Sequence, residues 1–458
     1  MSSADAGSGA AADPEAAQSQ SVPFASALAF WLKLGFISFG GPAGQISIMH
    51  QELVDRRRWI SEPRFLHALN YTMLLPGPEA QQLATYIGWL LHGLWGGIVA
   101  GALFVLPSFL ILTGLSWLYL SYGTQPMVAA ALYGIKPAVT AIVLFAAFRI
   151  GSRALRSRSL WVVAALAFIA IFALKIPFPM IVIGAGLIGA VGARFAPLAF
   201  RLGDHASQSN ETNVIDDDTP VRADLRFSWG RLIAYVATGI FLWGATMFAL
   251  GRAFGFDSTP VDMGWFFTKA AFVTFGGAYS VLPYVYQGGV EQFQWLTATQ
   301  MIDGLALGET TPGPLIIVVT FVGFVGGWTK EVLGVEHLVL SGVLCATVVT
   351  FFTFLPSFLF ILAGGPAVES TRGNILFTAP LSAITAAVVG VVLNLAAFFA
   401  YHVFWPGGFE GELQAFAVAI SVAAFIALFR FRAGIIPVVF ACGIIGILHH
   451  EAMTRWLT

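Results

Sequence analysis

Residues 33–78, KLGFISFGGPAGQISIMHQELVDRRRWISEPRFLHALNYTMLLPGP, occur a second time as residues 269–314, KAAFVTFGGAYSVLPYVYQGGVEQFQWLTATQMIDGLALGETTPGP. The two copies align without a gap at an offset of 236 residues and share Lys, Phe-Gly-Gly, Trp and Pro-Gly-Pro. Helix-breaking residues at matching places in two apolar halves are typical of the substrate site of a secondary transporter. The repeat therefore predicts two homologous halves with broken helices.

The composition around this repeat is that of an integral membrane protein. Of 458 residues, 57% are hydrophobic and 10% charged, and the mean hydropathy is +0.80. Such values exclude an ordinary soluble domain. Apolar runs long enough to cross about 30 Å of hydrocarbon recur, at residues 95–122, 126–148, 230–250, 336–363 and 378–405. We expect an all-α polytopic membrane protein.

Changes in composition divide the chain. We expect an N-terminal disordered cytoplasmic tail, a first half, a polar cytoplasmic linker, one extra transmembrane helix and a second half, at residues 1–22, 23–200, 201–229, 230–252 and 253–458. The extra helix has no counterpart before the first copy. One added crossing inverts all that follows, so the halves are predicted to have opposite topology.

Charge supports this inversion. The loop after the first Phe-Gly-Gly contains Arg56, Arg57, Arg58 and Arg64, whereas its partner, residues 286–300, has Glu291 and no Lys or Arg. Arg and Lys are enriched in cytoplasmic loops. The two loops should therefore lie on opposite sides, with the arginines and the N-terminus in the cytoplasm.

The Pro-Gly-Pro elbows at residues 76–78 and 312–314 need shielding. Irregular backbone survives at membrane depth only where protein or a water-filled cavity covers it, so we expect both elbows in the protein interior. Residues 62–93 fit two half-helices that meet at the first elbow. The sequence leaves open whether these form re-entrant hairpins or broken full spans.

These motifs resemble the chromate ion transporter family, of the long-chain type with two domains. The resemblance covers nearly the whole chain outside the tail and the linker. It rests on SFGGPA at 38–43, RWI at 58–60, LPGPEAQQLATYIG at 75–88, FVLP at 104–107, FVTFGGAY at 272–279, ETTPGP at 309–314 and TFLPSF at 353–358. Many family members have His where this chain has Gln45, so a proton role at that position is not expected here.

The resemblance implies a secondary active transporter that exports chromate across the cell's inner membrane and confers chromate resistance. The membrane ion gradient, rather than ATP, would drive it, and the chain has no Walker A sequence. The same fold could move sulfate or another tetrahedral oxyanion, and the sequence does not separate these substrates. An enzyme would need a metal cluster or an activated nucleophile, and none is visible. We expect no bound cofactor, metal or nucleic acid, and the sequence leaves open whether the protein forms a homodimer.

A tetrahedral oxyanion needs hydrogen-bond donors and positive potential. A helix that begins inside the membrane supplies both at its N-terminus, and glycine allows close approach of the backbone. The lysines of the repeat would add charge, although they could instead extend to the interface, and the small residues could serve helix packing alone. The predicted substrate-binding residues are Lys33, Gly40, Gly41, Pro42, Pro76, Gly77, Pro78, Gln81, Gln82, Lys269, Gly276, Gly277, Thr310, Thr311, Pro312, Gly313 and Pro314.

Two acids lie next to the elbows, Glu79 after the first and Glu309 before the second. A carboxylate beside an oxyanion repels it unless the carboxylate is protonated. Both are therefore predicted to couple proton binding to substrate binding. For Glu79, stabilisation of a helix N-terminus is an equally weighted alternative.

Overall fold

The computed structural model describes residues 22–39, 41–195, 227–275, 278–370 and 378–457. Most of the predicted tail and linker, together with Gly40, Gly276 and Gly277, lies outside the described residues. The α-helices in these ranges are α1 (Phe24–Ile37), α2 (Gly41–His50), α3 (Glu62–Leu74), α4 (Glu79–Tyr122), α5 (Pro126–Ala154), α6 (Arg158–Phe172), α7 (Phe178–Phe195), α8 (Trp229–Phe254), α9 (Thr259–Val273), α10 (Leu282–Tyr286), α11 (Ala298–Thr310), α12 (Val318–Thr329), α13 (Leu338–Ser370), α14 (Thr378–Phe404), α15 (Ala415–Arg430) and α16 (Ile435–Leu457).

The protein is a multi-pass all-α membrane protein, and the fold-class prediction is confirmed. Six helices in the described part of the chain are long and apolar enough to cross a bilayer. They include α8, which covers the residues predicted to form the extra span. Gly239 of α8 packs against Leu359 of α13, so this helix lies against the second half.

The sequence repeat is reproduced in the backbone. At the offset of 236, α3 matches α11 residue for residue, and the π-helix Gln51–Arg56 matches the π-helix Gln287–Gln292. Arg58 and Gln294, which are also equivalent, both have positive φ, 53° and 51°. A π-helix and a positive φ outside glycine are uncommon. Their recurrence at matched positions shows that both halves share one detailed fold.

In each half the segments on the two sides of the elbow fold back on each other as a helical hairpin, which favours the first of the two arrangements that the sequence leaves open. In the first half, α3 leads into the elbow, and the Tyr71 and Tyr86 rings on its two sides lie 5.7 Å apart. A continuous helix would separate these residues by roughly 22 Å. In the second half, Gly304 before the elbow packs against Phe321 after it. The elbows are therefore the tips of hairpins.

Helix α4 reverses direction after its first hairpin segment. His92 and Gly93 have non-helical φ and ψ values, which divide it into α4a, residues 79–91, and α4b, residues 94–122. Gly88 of α4a lies against Ala100 of α4b, so the two parts run antiparallel. Helices α12 and α13 are the equivalent pair in the second half, and there Thr320 and Thr350 hydrogen bond at 2.7 Å.

The two halves are inverted. Helices α4b and α13 correspond, since Leu-Pro-Ser recurs at 106–108 and 355–357. Across their interface Gly97 lies against Leu362 and Gly101 lies against Phe358. The residue number rises along one helix as it falls along the other, so these equivalent helices are antiparallel. Equivalent elements that cross the membrane in opposite directions define an inverted repeat.

The repeated tryptophans do not lie at the lipid surface. From sequence, Trp59 and Trp295 fit the aromatic belts at membrane interfaces, and this interpretation is wrong. Their exposed fractions are 8% and 1%. Trp295 packs inside a cluster with Phe266 and Phe293, which holds the π-helical segment against α9.

The inversion predicts that matched loop positions face opposite sides of the membrane. Asp55 and Glu291 are equivalent and exposed. In a chain whose Cys345 and Cys442 are replaced by alanine, we expect a membrane-impermeant maleimide to label Asp55→Cys and Glu291→Cys from opposite sides of sealed vesicles. Labelling of both from the same side would contradict the inverted arrangement.

Candidate functional site

The two elbows require glycine at their centres. Gly77 and Gly313 have φ values of 126° and 95°, a region that other residues rarely occupy. A Cβ atom on Gly77 would lie 2.5 Å from the Ser357 hydroxyl, and one on Gly313 would collide with the Ser108 hydroxyl. Ser108 and Ser357 are themselves equivalent. Each elbow therefore closes around a serine of the opposite half.

Reciprocal hydrogen bonds connect the elbows to the opposite halves. The Gly77 N–H donates to the Thr274 carbonyl at 2.7 Å, and the Gly313 N–H donates to the Ser38 carbonyl at 2.7 Å. Ser38 and Thr274 are equivalent residues that come just before the two Phe-Gly-Gly motifs. The pair of bonds obeys a local two-fold symmetry. The two elbows, together with Ser38 and Thr274, consequently form one central site that is built from both halves.

Both elbows lead into helix N-termini inside the protein. Helix α4a begins after Pro78 and the 3₁₀ turn Leu315–Ile317 begins after Pro314, neither with a side-chain cap. Proline suits this position because its missing N–H would have no helical partner. The N–H groups that follow, at Glu79 and Leu315, point towards the start of each segment and give it positive potential.

Polar side chains line the central site with unused hydrogen-bonding capacity. Gln81 and Gln82 are fully buried on α4a. Gln82 donates to the Pro76 carbonyl at 2.8 Å, and Gln81 donates to the Thr85 hydroxyl at 3.0 Å. Buried polar atoms normally have partners. Those near the elbows that lack one within the described residues are Ser38 Oγ, Gln45 Oε1, Gln81 Oε1, Gln82 Oε1, Ser108 Oγ and Ser357 Oγ.

The Gln45 side chain forms hydrogen bonds with both halves. Its side-chain amide donates to the Gly313 carbonyl and, at 3.4 Å, to the Ser38 carbonyl. Since an amide has no charge to gain or lose at physiological pH, Gln45 stabilises the second elbow without titrating. The equivalent residue in the second half is Val281, so this contact has no symmetric counterpart.

The two predicted coupling acids have different surroundings. Glu309, at the end of α11, accepts a hydrogen bond from the Tyr279 hydroxyl, and Arg149 of α5 interacts electrostatically with Tyr279. Glu79 is 9% exposed in the first turn of α4a and makes no hydrogen bond or ion pair with the residues that the structure describes. Within the described residues, Glu309 of the second half is thus hydrogen bonded, whereas Glu79 of the first half is buried without a bonded partner.

The structure does not bring the repeated lysines into this cluster. Lys33 and Lys269 are exposed on α1 and α9, and Lys269 interacts electrostatically with Asp262 on its own helix. Thr310 and Thr311 are turned back to α11, where their hydroxyls donate to the Leu307 and Gly308 carbonyls at 2.8 Å. The other described members of the predicted set lie along the elbows and the first glycine motif, namely Gly41, Pro42, Pro76, Gly77, Pro78, Pro312, Gly313 and Pro314.

The comparison with known families agrees with this architecture. A model of the chromate transporter family matches residues 25–190 and 261–447, one segment in each half. The chain belongs to the chromate transporter family. Family membership places the chain among transporters.

Chromate transporter relatives cover most of the chain. The chromate transport protein of Pseudomonas aeruginosa is 32% identical over 426 residues, which are 91% of this chain and 90% of that protein. The chromate transport protein of Cupriavidus metallidurans is 27% identical over 369 residues, 79% of each chain. The uncharacterized transporter YwrB of Bacillus subtilis is 29% identical over 182 residues, 40% of this chain and 90% of that protein. No solved structure matches the chain.

Two groups of residues escaped sequence reasoning. Ser108 and Ser357 join the site across the interface, and the Leu-Pro-Ser repeat was the signal that could have identified them. A buried ion pair, Asp303 of α11 with Lys136 of α5, has no repeat to mark it. Pairings between residues so far apart in the chain leave no local pattern.

The elbow geometry predicts a penalty for any side chain at its glycines. We expect Gly77→Ala and Gly313→Ala each to lower the free energy of unfolding by about 1–3 kcal/mol, because of their positive φ and the opposing serine. Thermal unfolding of the purified protein measures this. Gly114→Ala is the matched control, since Gly114 lies in α4b with no atom within 4 Å of its added Cβ. Equal stability of all three variants would contradict the constraint.

Proposed function

We propose that the protein is a secondary active transporter that exports chromate across the inner membrane, driven by the membrane ion gradient, and thereby confers chromate resistance. The observation that carries this proposal is the central site between the inverted halves. Two helix N-termini meet there with six buried polar atoms that have no hydrogen-bond partner among the described residues. The names of the relatives as chromate transport proteins support the choice of substrate.

The chemistry of the central site suits a tetrahedral oxyanion. Ser108 and Ser357 can each donate a hydroxyl hydrogen, and the segments after the two elbows offer backbone N–H groups. Donors without fixed charge attract an anion but do not hold it as tightly as buried lysines would. A transporter must also release its substrate, so binding by uncharged donors suits transport better than binding by fixed positive charges.

The inverted halves suggest how access alternates. The hydrogen bonds from Gly77 to Thr274 and from Gly313 to Ser38 cross from one half to the other. In inverted-repeat transporters one half moves against the other around a central site. We infer that loosening one bond of this symmetric pair while keeping the other exposes the site to one side at a time.

Glu79 and Glu309 remain our candidates for coupling. Glu79 lies next to the first elbow without a bonded partner among the described residues, and Glu309 is bonded to Tyr279. Protonation would remove their repulsion of a dianion. The arginine-rich loop at Arg56–Arg58 supports a cytoplasmic N-terminus, which would orient the first hairpin towards the cytoplasm.

Loss of the two serine hydroxyls should weaken substrate binding. In everted membrane vesicles with an imposed proton gradient, we expect Ser108→Ala/Ser357→Ala to raise the KM for chromate about tenfold, because two hydrogen bonds contribute about 1–3 kcal/mol together. Ser116→Ala is the control, since Ser116 is buried on the same helix and bonded to Leu112. An unchanged KM would refute the role of the elbows in binding.

The same vesicles test the lysines and the substrate. We expect Lys33→Gln/Lys269→Gln to raise the KM for chromate by less than the double serine variant does, because both lysines are exposed outside the central site and act on it only through their long-range field. An unchanged KM would exclude both lysines from substrate binding. Sulfate is the competitor in this assay. Sulfate flux without chromate flux in the wild-type protein would transfer the function to sulfate.

Proton coupling predicts a change in pH dependence. We expect chromate flux in Glu79→Gln and Glu309→Gln to vary less with pH than in the wild-type protein, because a glutamine cannot take up the proton. Glu291→Gln, at an exposed loop position, should behave like the wild-type protein. Identical pH profiles for all four proteins would exclude these two acids as the coupling groups.

A further inference from the structure

A second polar group lies away from the elbows, between three helices. The Tyr119 hydroxyl of α4b donates to Asp303 Oδ2 of α11 at 2.9 Å. The Lys136 ammonium of α5 lies 3.5 Å from the same oxygen. Asp303 Oδ1 has no hydrogen-bond partner within the described residues. We call Asp303, Lys136 and Tyr119 the ion-pair triad. It bridges the halves, because α4b and α5 belong to the first and α11 to the second.

The triad breaks the symmetry of the repeat. The offset of 236 pairs Asp303 with His67, and the offset of 249 that pairs Pro107 with Pro356 also pairs Lys136 with Thr385. No acid stands at the position of Asp303 in the first half, and no lysine stands at that of Lys136 in the second. The charges of the triad therefore occur on one side of the protein and are not repeated on the other.

The positions of Asp303 and Tyr119 along their helices identify the side of the membrane towards which the triad lies. Asp303 lies five residues after the start of α11, about 8 Å along the helix, and roughly 11 Å before the second elbow. Tyr119 is near the end of α4b, about 17 Å beyond Ser108. The triad therefore lies between the central site and the surface opposite to Arg56–Arg58. For an exporter with a cytoplasmic arginine loop, that surface is the exit.

The two charges of the pair differ in accessibility. The Lys136 side chain is 25% exposed, whereas that of Asp303 is 3% exposed. Lys136 and Tyr119 are the groups of the described chain that interact with the Asp303 carboxylate. The neighbouring α12 and the turn Leu315–Ile317 carry no titratable residue, whereas α14 carries Tyr401 and His402, and α16 carries Cys442, His449, His450, Glu451 and Arg455. The ammonium is therefore the more accessible of the two charges, and the carboxylate is covered.

We propose that Lys136 and Tyr119 form a second oxyanion site on the exit path, and that Asp303 occupies this site as an internal carboxylate until the substrate displaces it. A carboxylate presents two oxygens and one negative charge, whereas a tetrahedral dianion presents four oxygens and two charges. The dianion is the stronger partner for an ammonium and a hydroxyl donor. When it leaves, Asp303 returns and closes the exit. This proposal rests on the proposed oxyanion transport and adds a site to it.

The test is equilibrium binding of radiolabelled chromate to the purified full-length protein. Asp303→Asn removes the competing charge, so we expect it to tighten chromate binding several-fold. Lys136→Gln removes the cation and should weaken chromate binding at this second site about tenfold, while binding at the central site stays unchanged. The double variant Asp303→Asn/Lys136→Gln should stay as weak as Lys136→Gln, and Lys136→Arg should bind like the wild-type protein. Glu291→Gln is the control for loss of an exposed acid on the same side.

A purely structural ion pair predicts the opposite pattern. Asp303→Asn and Lys136→Gln would then both weaken binding, and the double variant would recover, because neither charge is left unpaired. That result, or loss of binding in a folded Lys136→Arg protein, overturns the inference. Absence of both chromate and sulfate binding in the wild-type protein overturns the proposed function instead. The two failures are therefore distinguishable within one experiment.

Discussion

Backbone N–H groups at membrane depth have no water to bond, and this constraint shapes the centre of the protein. The elbow glycines leave helical geometry where the hydrocarbon would make an unpaired N–H costly. In each half the glycine N–H donates a hydrogen bond to a backbone carbonyl of the other half, Gly77 to Thr274 and Gly313 to Ser38. These hydrogen bonds bring the two hairpin tips to a shared interface. Because the halves are inverted, the two bonds are related by symmetry.

Much of this centre could be predicted from sequence. The repeat at an offset of 236 predicted the two halves, the extra helix α8 fitted their inversion, and the Pro-Gly-Pro motifs marked the elbows. These features are local patterns of breakers and apolar runs. Which face of a helix is buried is harder to predict, because it depends on the neighbouring helices that each face contacts. That is why the repeated lysines, predicted near the substrate, lie on exposed faces, and why Trp59 and Trp295 are buried.

Contacts between halves were the least predictable part. Ser108 and Ser357 reach the elbows only because α4b and α13 cross antiparallel at the centre. Asp303 and Lys136 meet because α11 packs on α5. The resulting site is polar at the elbows, with the acids Glu79 and Glu309 beside them, and the Asp303–Lys136 ion pair lies towards one surface.

The central claim is that the elbows of the two halves jointly hold the oxyanion. A crystal structure of the protein soaked with chromate tests it most directly, because chromium can be located by its anomalous scattering. The account predicts a chromium peak between the elbows, with chromate oxygens within hydrogen-bonding distance of the Ser108 and Ser357 hydroxyls. Chromate bound elsewhere, with the space between the elbows empty, would contradict it.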